Sequence, residues 1–124
     1  MRALIQRVTQ ASVSIDNSTI SEIKQGLLIL VCAMNDDNEE DAEKMASKIS
    51  KIRIFNDEAG KLNKSIIDIN GEALVVSQFT LAADTSRGNR PGFSYAAHPE
   101  QGEKLYEYFT QQLQNLNINC KKGV

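Results

Sequence analysis

The chain has 124 residues, of which 41% are hydrophobic and 24% are charged, and its formal net charge at pH 7 is -2. This balance excludes a disordered or fibrous chain, and the length suits one domain. The longest apolar stretch, residues 27–34, is far shorter than the roughly 20 residues that span a bilayer, and the N-terminus has no signal-peptide pattern. We therefore expect a single cytoplasmic domain, residues 1–124, without a membrane partner. Any contact with nucleic acid would need a local patch, because the chain has no overall positive charge.

The first quarter of the chain is predicted to form strands. Residues 2–8 and 11–15 read as two short strands, and the second alternates apolar and polar residues. A turn at residues 16–19 follows the second strand. The apolar run at residues 27–34 is too short for a typical helix, so it predicts a central strand covered on both faces.

A helix and a pair of turns are predicted next. The acidic stretch "NDDNEED" opens a helix whose apolar positions recur at helical spacing from Ala42 to Ile52. Gly60 then marks a turn between the segments "IRIF" and "SIIDI", and a second turn follows at residues 70–71.

The second half of the chain contains a strand, a long irregular segment and a helix. The strand is "ALVVSQFTLA", residues 73–82, and the irregular segment extends to residue 97. A second helix begins at Pro99, and "NINCKKGV" starts a further strand. These elements predict an α/β (α+β) fold in which a curved, barrel-like sheet of about five or six strands packs with two helices on one side.

Residues 75–99 combine hydroxyl side chains, arginines, both prolines and the single histidine of the chain. Isolated hydroxyls in strands usually bond the backbone, but Ser77 and Thr80 come at the end of an apolar strand and directly before the longest loop, where ligand sites gather. A loop of this length is typically functional or disordered. We therefore interpret this stretch as the floor of a binding site.

Other residues with reactive side chains are weaker candidates for a functional site. His98 directly precedes Pro99 and is interpreted as the end of a loop, not as a general base. The acidic cluster at residues 36–41 lacks the ligand spacing of a calcium loop, and Cys32 and Cys120 form no motif, so we predict free thiols and no metal site. No nucleophile–base constellation is present. An enzyme here would have to work without a strong side-chain base. It could still hydrolyse a reactive ester by placement, by backbone amides around the developing oxyanion and by a base that the substrate supplies.

Several segments together resemble the D-aminoacyl-tRNA deacylases, which remove D-amino acids from mischarged tRNA. They are "MRALIQRV", "GLLILV", "LYEYF" and the long run from "KISKIRIF" to "SYAAHPE"; the pairing of "SQFTL" with "GNRPGF" is the most specific. The resemblance runs from Met1 through Val124. It implies a cytoplasmic homodimer that binds the 3′ terminal adenosine of aminoacyl-tRNA and hydrolyses the ester without a metal or organic cofactor.

The resemblance also implies the site residues. "SQFTL" lines the family's site, which corresponds here to Ser77, Gln78, Phe79 and Thr80, with the last three as candidate catalytic residues. Either Thr80 is the nucleophile, or the 2′-hydroxyl of the terminal ribose takes part while backbone N–H groups near residues 79 and 80 polarise the ester. The second account suits this sequence better, because nothing nearby could activate a threonine hydroxyl.

Three further residues are expected to contribute to substrate binding. Arg7, in "QRV", resembles the family's first-strand arginine that steadies its chirality-selecting motif. Pro91 and Phe93 lie in "GNRPGF".

The chain departs from the family pattern in one respect. Family members carry a Gly-Pro dipeptide with a cis peptide bond near the C-terminus, whereas the prolines here follow Arg90 and His98. The chain stops at "KKGV", where the family continues for about two strands, so we expect weakened binding or chirality selection. Two alternatives to the deacylase remain open: a general small-ester hydrolase that uses Thr80, and an inactive tRNA-binding module.

Overall fold

The computed structural model describes residues 1–84, 86 and 88–123. In these residues the chain forms eight strands and two α-helices, with a short 3₁₀ turn at Phe79–Ala82 between β7 and α2. The strands and helices are, in chain order, β1 Arg2–Val8, β2 Ala11–Ile15, β3 Ser18–Ile23, β4 Gly26–Cys32, α1 Glu39–Lys51, β5 Phe55–Asn56, β6 Leu62–Lys64, β7 Glu72–Ser77, α2 Pro99–Asn115 and β8 Asn119–Lys122.

A four-stranded sheet with the order β1-β4-β7-β8 forms the centre of the fold. β4 pairs antiparallel with β1 and parallel with β7, and β7 pairs parallel with β8. Every residue of β4 is buried or half-buried, because a strand between two others in a covered sheet has no face left for water. The predicted central strand is therefore confirmed.

The two helices cover one face of this sheet. α1 begins with a capping box in which the Asn38 side chain accepts from the Asp41 N–H and the Asp41 carboxylate accepts from the Asn38 N–H. α2 begins at Pro99, which suits a first helical position because that position needs no N–H. The core combines apolar residues of both helices with those of β4 and β7: Ala42, Ala46, Ile49, Leu105, Phe109 and Leu113 against Leu27, Ile29, Val31, Ala73 and Val75. The predicted helices and their common side are confirmed. Neither helix in the described residues is long and apolar enough to cross a lipid bilayer.

The predicted sheet differs from the observed one in number and shape. Instead of a barrel-like sheet of five or six strands, the described residues form a four-stranded sheet and two separate two-stranded sheets, without a closed barrel. The β2–β3 hairpin turns at Asp16 and Asn17, whose φ angles of 50° and 66° suit a tight hairpin turn. The prediction of a turn here is confirmed, but β3 was missed because its polar residues hide the strand pattern.

The segment "SIIDI", residues 65–69, does not form the strand that its composition suggests. The Ser65 N–H donates to the Asp68 carboxylate at 2.9 Å, and the Asp68 N–H donates to the Ser65 hydroxyl at 3.2 Å. Such local side-chain to backbone bonds compete with a sheet ladder. The segment is therefore a series of turns, and Ile66 enters the core from it.

The predicted strand at residues 73–82 is too long. β7 ends at Ser77, the register partner of Val31, one residue before β4 ends at Cys32. The Gln78 N–H donates to the Val31 carbonyl at 2.8 Å, and the backbone then turns into the 3₁₀ segment. Side chains therefore alternate between the two faces of the sheet only as far as residue 77.

Candidate active site

The candidate site lies where the parallel strands β4 and β7 end. Ser77, the last residue of β7, is the register partner of Val31 near the end of β4. Ligands commonly bind beyond the carboxyl ends of parallel strands. A cavity of about 590 Å³ opens at this place, within the size range of small-molecule sites. Its lining joins the strand ends to α2 and includes Val31, Cys32, Ser77, Phe79, Gly102 and Tyr106.

The 3₁₀ turn presents two backbone donors beside this cavity. The Leu81 N–H donates to the Gln78 carbonyl at 3.3 Å, and the Ala83 N–H donates to the Thr80 carbonyl at 3.1 Å. The N–H groups of Phe79 and Thr80 precede these bonds and have no acceptor in the part of the chain that the structure describes. The first N–H groups of any helical turn lack an internal partner. Two adjacent donors are therefore available to a ligand.

The side chains of the first two residues of the turn are exposed, whereas Ala82 at its end is buried. Phe79 is 60% exposed, and its ring contacts that of Phe93 edge to face, with centroids 5.1 Å apart. The Thr80 hydroxyl accepts a hydrogen bond from the Gln78 side-chain amide at 2.5 Å. An amide N–H donor cannot take a proton from a hydroxyl, so this contact does not activate Thr80 as a nucleophile. The arrangement instead suits stabilisation of negative charge by the backbone N–H groups.

The structure brings together most of the residues predicted from the sequence, but not all of them. Ser77, Gln78, Phe79 and Thr80 are consecutive at the strand end, and Phe93 joins them through its ring contact. Pro91 is exposed, in a segment closed by mutual hydrogen bonds between the backbones of residues 84 and 92. Of the predicted residues, Ser77 and Phe79 line the cavity, whereas Gln78, Thr80, Pro91 and Phe93 are absent from its lining.

Arg7 lies at the other end of the sheet. It is level with Leu27, which is the partner of Ala73, so four residues of strand, or about 13 Å, separate it from the level of Ser77. Its guanidinium donates to the Ile54 carbonyl at 2.9 Å. Within one chain, Arg7 and Ser77 therefore do not share a site.

Two residues contact the turn in a way that the sequence did not predict. Arg2 donates from Nη1 to the Leu81 carbonyl at 2.8 Å, and the Cys32 thiol lies 3.8 Å from the Phe79 carbonyl. Burial raises the pKa of the Cys32 thiol, so at neutral pH it is protonated and can donate, with the Ala33 carbonyl at 3.4 Å as a closer acceptor. Both residues reach the turn from strands far away in the sequence, and no local pattern marks such contacts.

The other residues with reactive side chains are Tyr106, His98 and the two cysteines. The Tyr106 hydroxyl donates to the Val75 carbonyl at 2.9 Å, and burial raises the pKa of Tyr106 to about 12. His98 precedes α2 and makes no side-chain capping bond, in agreement with its interpretation as the end of a loop. Cys32 and Cys120 are both free. Among residues 1–84, 86 and 88–123, no three His, Cys, Asp or Glu side chains form a group that could hold a metal ion.

The fold and the site define an α+β protein with a cavity at the ends of two parallel strands, next to a turn that carries two backbone N–H groups without an acceptor in the described residues. Comparison with known proteins identifies the family: the chain belongs to the D-Tyr-tRNA(Tyr) deacylase family, whose model matches residues 4–124. A D-aminoacyl-tRNA deacylase of Ruegeria pomeroyi is 58% identical over 99% of this chain and 85% of its own length. One from Thermotoga petrophila is 50% identical over 99% of this chain and 83% of its own length.

Two solved structures share the fold of this chain. The chain superimposes with a TM-score of 0.93 on a c-Myc DNA unwinding element binding protein, at 39% identity, covering 100% of this chain and 85% of that one. A probable eukaryotic D-amino acid tRNA deacylase gives a TM-score of 0.78 at 14% identity, covering 91% and 66% of the two chains, which shows a common fold.

Proposed function

We propose that this protein hydrolyses the ester bond of D-aminoacyl-tRNA and releases free D-amino acid and tRNA, an activity that proofreads the chirality of translation. Membership of the D-Tyr-tRNA(Tyr) deacylase family and 58% identity to a D-aminoacyl-tRNA deacylase support this assignment. The observation that carries the mechanism is the pair of unpartnered N–H groups at Phe79 and Thr80, beside a cavity of about 590 Å³.

In the proposed reaction, the terminal adenosine and its aminoacyl group occupy the cavity, with the ester carbonyl oxygen facing the N–H groups of Phe79 and Thr80. A water oxygen bonds to the carbonyl carbon, and the negative charge that develops on the carbonyl oxygen is stabilised by these two donors. The intermediate then breaks the C–O bond to the ribose. The ribose oxygen takes up the proton that the water loses, and the neighbouring ribose hydroxyl relays it.

The remaining site residues have supporting parts in this proposal. Ser77 and Gln78 set the start of the turn, and the Phe79–Phe93 pair forms an apolar wall that a base or side chain could contact. Pro91 would restrict the loop that carries Phe93. We propose that residues 1–124 act as a single deacylase domain in a cytoplasmic homodimer, where Arg7 would serve the partner's site because it lies far from the turn in its own chain.

A deacylation assay tests the function. Purified protein is incubated with D-Tyr-tRNA and, in parallel, with L-Tyr-tRNA, and the release of free tyrosine is followed. We expect cleavage of the D-substrate. Binding of tRNA without release of D-tyrosine would favour an inactive tRNA-binding module, and cleavage of small aryl esters with no effect on D-Tyr-tRNA would favour a general esterase.

Thr80→Ala is expected to retain activity within about threefold of the unsubstituted protein. The variant keeps the backbone N–H of residue 80 and removes a hydroxyl that contacts only an amide donor. The kcat for D-Tyr-tRNA is compared between the two proteins. A fall of more than a hundredfold with unchanged binding, about 2.7 kcal/mol, would instead identify Thr80 as the nucleophile.

A further inference from the structure

Arg2 contacts the 3₁₀ turn from outside the cavity. Its Nη1 donates to the Leu81 carbonyl at 2.8 Å across a sequence separation of 79 residues. A guanidinium donor makes a hydrogen bond stronger than one between neutral groups. We propose that Arg2 is a positioning residue for ester hydrolysis, which holds the carbonyl end of the turn so that the Phe79 and Thr80 N–H groups keep their direction toward the substrate. This inference rests on the proposed function.

The turn is anchored at its end by the buried Ala82, but its first two residues have little packing support. It contains only four residues, and its closing bond from the Leu81 N–H to the Gln78 carbonyl is 3.3 Å long. Short 3₁₀ segments have poor hydrogen-bond geometry. The side chains of Phe79 and Thr80 are exposed, so core packing at these two positions does not fix the backbone. An external contact at Leu81 therefore has a large share in setting the direction of the turn.

Cys32 supplies a second, weaker contact on the same turn. Arg2 and Cys32 are register partners in β1 and β4, so the two side chains approach the turn from neighbouring strands. The Cys32 Sγ is 3.8 Å from the Phe79 carbonyl, which belongs to the same peptide unit as the Thr80 N–H, and 3.4 Å from the Ala33 carbonyl. In a trans peptide the C=O and N–H groups point in opposite directions. A contact of Cys32 with the Phe79 carbonyl therefore also limits the orientation of the Thr80 N–H.

No ion pair competes with the hydrogen bond from Arg2 to Leu81. In the described part of the chain Arg2 has no carboxylate partner within 4.0 Å. The pKa of Asp84 is lowered mainly by hydrogen bonds from Ser86. The positive charge of Arg2 makes a smaller contribution in the same direction. The charge of Arg2 thus also lies beside the segment that follows the turn.

The test compares Arg2→Met, which keeps an extended side chain without donors, with Arg2→Lys, which keeps a charged donor. Gln6→Met is the matched control, since Gln6 is an exposed residue four positions along the same strand and makes no hydrogen bond to the turn. For each protein, kcat and KM on D-Tyr-tRNA are measured separately, and amide hydrogen exchange is followed at Leu81 and Ala83. Exchange reports the turn directly, whether or not the protein is active.

We expect Arg2→Met to lower kcat about tenfold, with KM changed less than threefold and exchange at Leu81 and Ala83 at least tenfold faster. Arg2→Lys should recover most of the lost kcat, and Gln6→Met should match the unsubstituted protein. A kcat for Arg2→Met within twofold of the unsubstituted value would overturn the inference, as would faster exchange throughout the chain. If the unsubstituted protein cleaves no D-Tyr-tRNA, the proposed function fails, while unchanged exchange at Leu81 and Ala83 would separately exclude the contact as a support of the turn.

Discussion

Replacing Phe79 with proline is expected to lower kcat for D-Tyr-tRNA by about 10²–10³-fold relative to Phe79→Ala, the loss found when one oxyanion donor is removed. Both variants lack the aromatic ring. They differ in the backbone N–H, which alanine keeps and proline lacks. The comparison therefore isolates the contribution of one N–H group at the strand end, measured as the ratio of the two kcat values.

The backbone at this position accepts proline. Phe79 is the first residue of the 3₁₀ turn, where a missing N–H breaks no internal bond. The preceding Gln78 is extended, with φ of -137° and ψ of 91°, and so lies outside the α region that proline disfavours for the residue before it. Thermal unfolding should show similar melting temperatures for the two variants. Equal kcat values in two well-folded variants would remove the Phe79 N–H from the mechanism.

Gly26→Ala is expected to destabilise the protein by roughly 3 kcal/mol or more, because it overfills the central pair of strands. A Cβ atom at Gly26 would lie 1.7 Å from the Glu72 carbonyl oxygen, in the parallel pairing of β4 with β7. This neighbour is backbone and cannot rotate away. Urea unfolding gives the change in free energy of unfolding.

Gly102→Ala provides the matched control for this change. The same methyl group at Gly102, inside α2, would meet no atom within 4 Å. Alanine is the better helix former, so we expect an increase of about 1 kcal/mol in the free energy of unfolding. Equal stability of the Gly26 and Gly102 variants would contradict the tight approach of β4 to β7.

The main elements of the fold could be predicted because their patterns are local. The apolar run at residues 27–34 gave the central strand, and helical spacing gave both helices. β3 and the turns at residues 65–69 were not predicted correctly. Strand pairing in β3 depends on its partner, and the Ser65–Asp68 bonds override an apolar composition.

The site was predictable only where its residues are consecutive. The position of Ser77 and Thr80 at the end of an apolar strand marked these two residues, and the resemblance to the deacylases added Gln78 and Phe79 between them. The length of β7 was overestimated because the backbone turns into a 3₁₀ segment after Ser77, although the apolar pattern of the sequence continues to residue 82. Arg2 and Cys32 escaped prediction because their contacts to the turn exist only after β1, β4 and β7 have paired.

The cavity wall draws on Met1 at one end of the chain and Gly123 near the other, as well as on α2. Neither half of the polypeptide can therefore build the pocket by itself. Such distant contacts form late, after the costly closure of long loops. Catalytic activity should therefore require the complete tertiary structure. A chain that is cut, or whose ends are unfolded, should lose activity before it loses its helices.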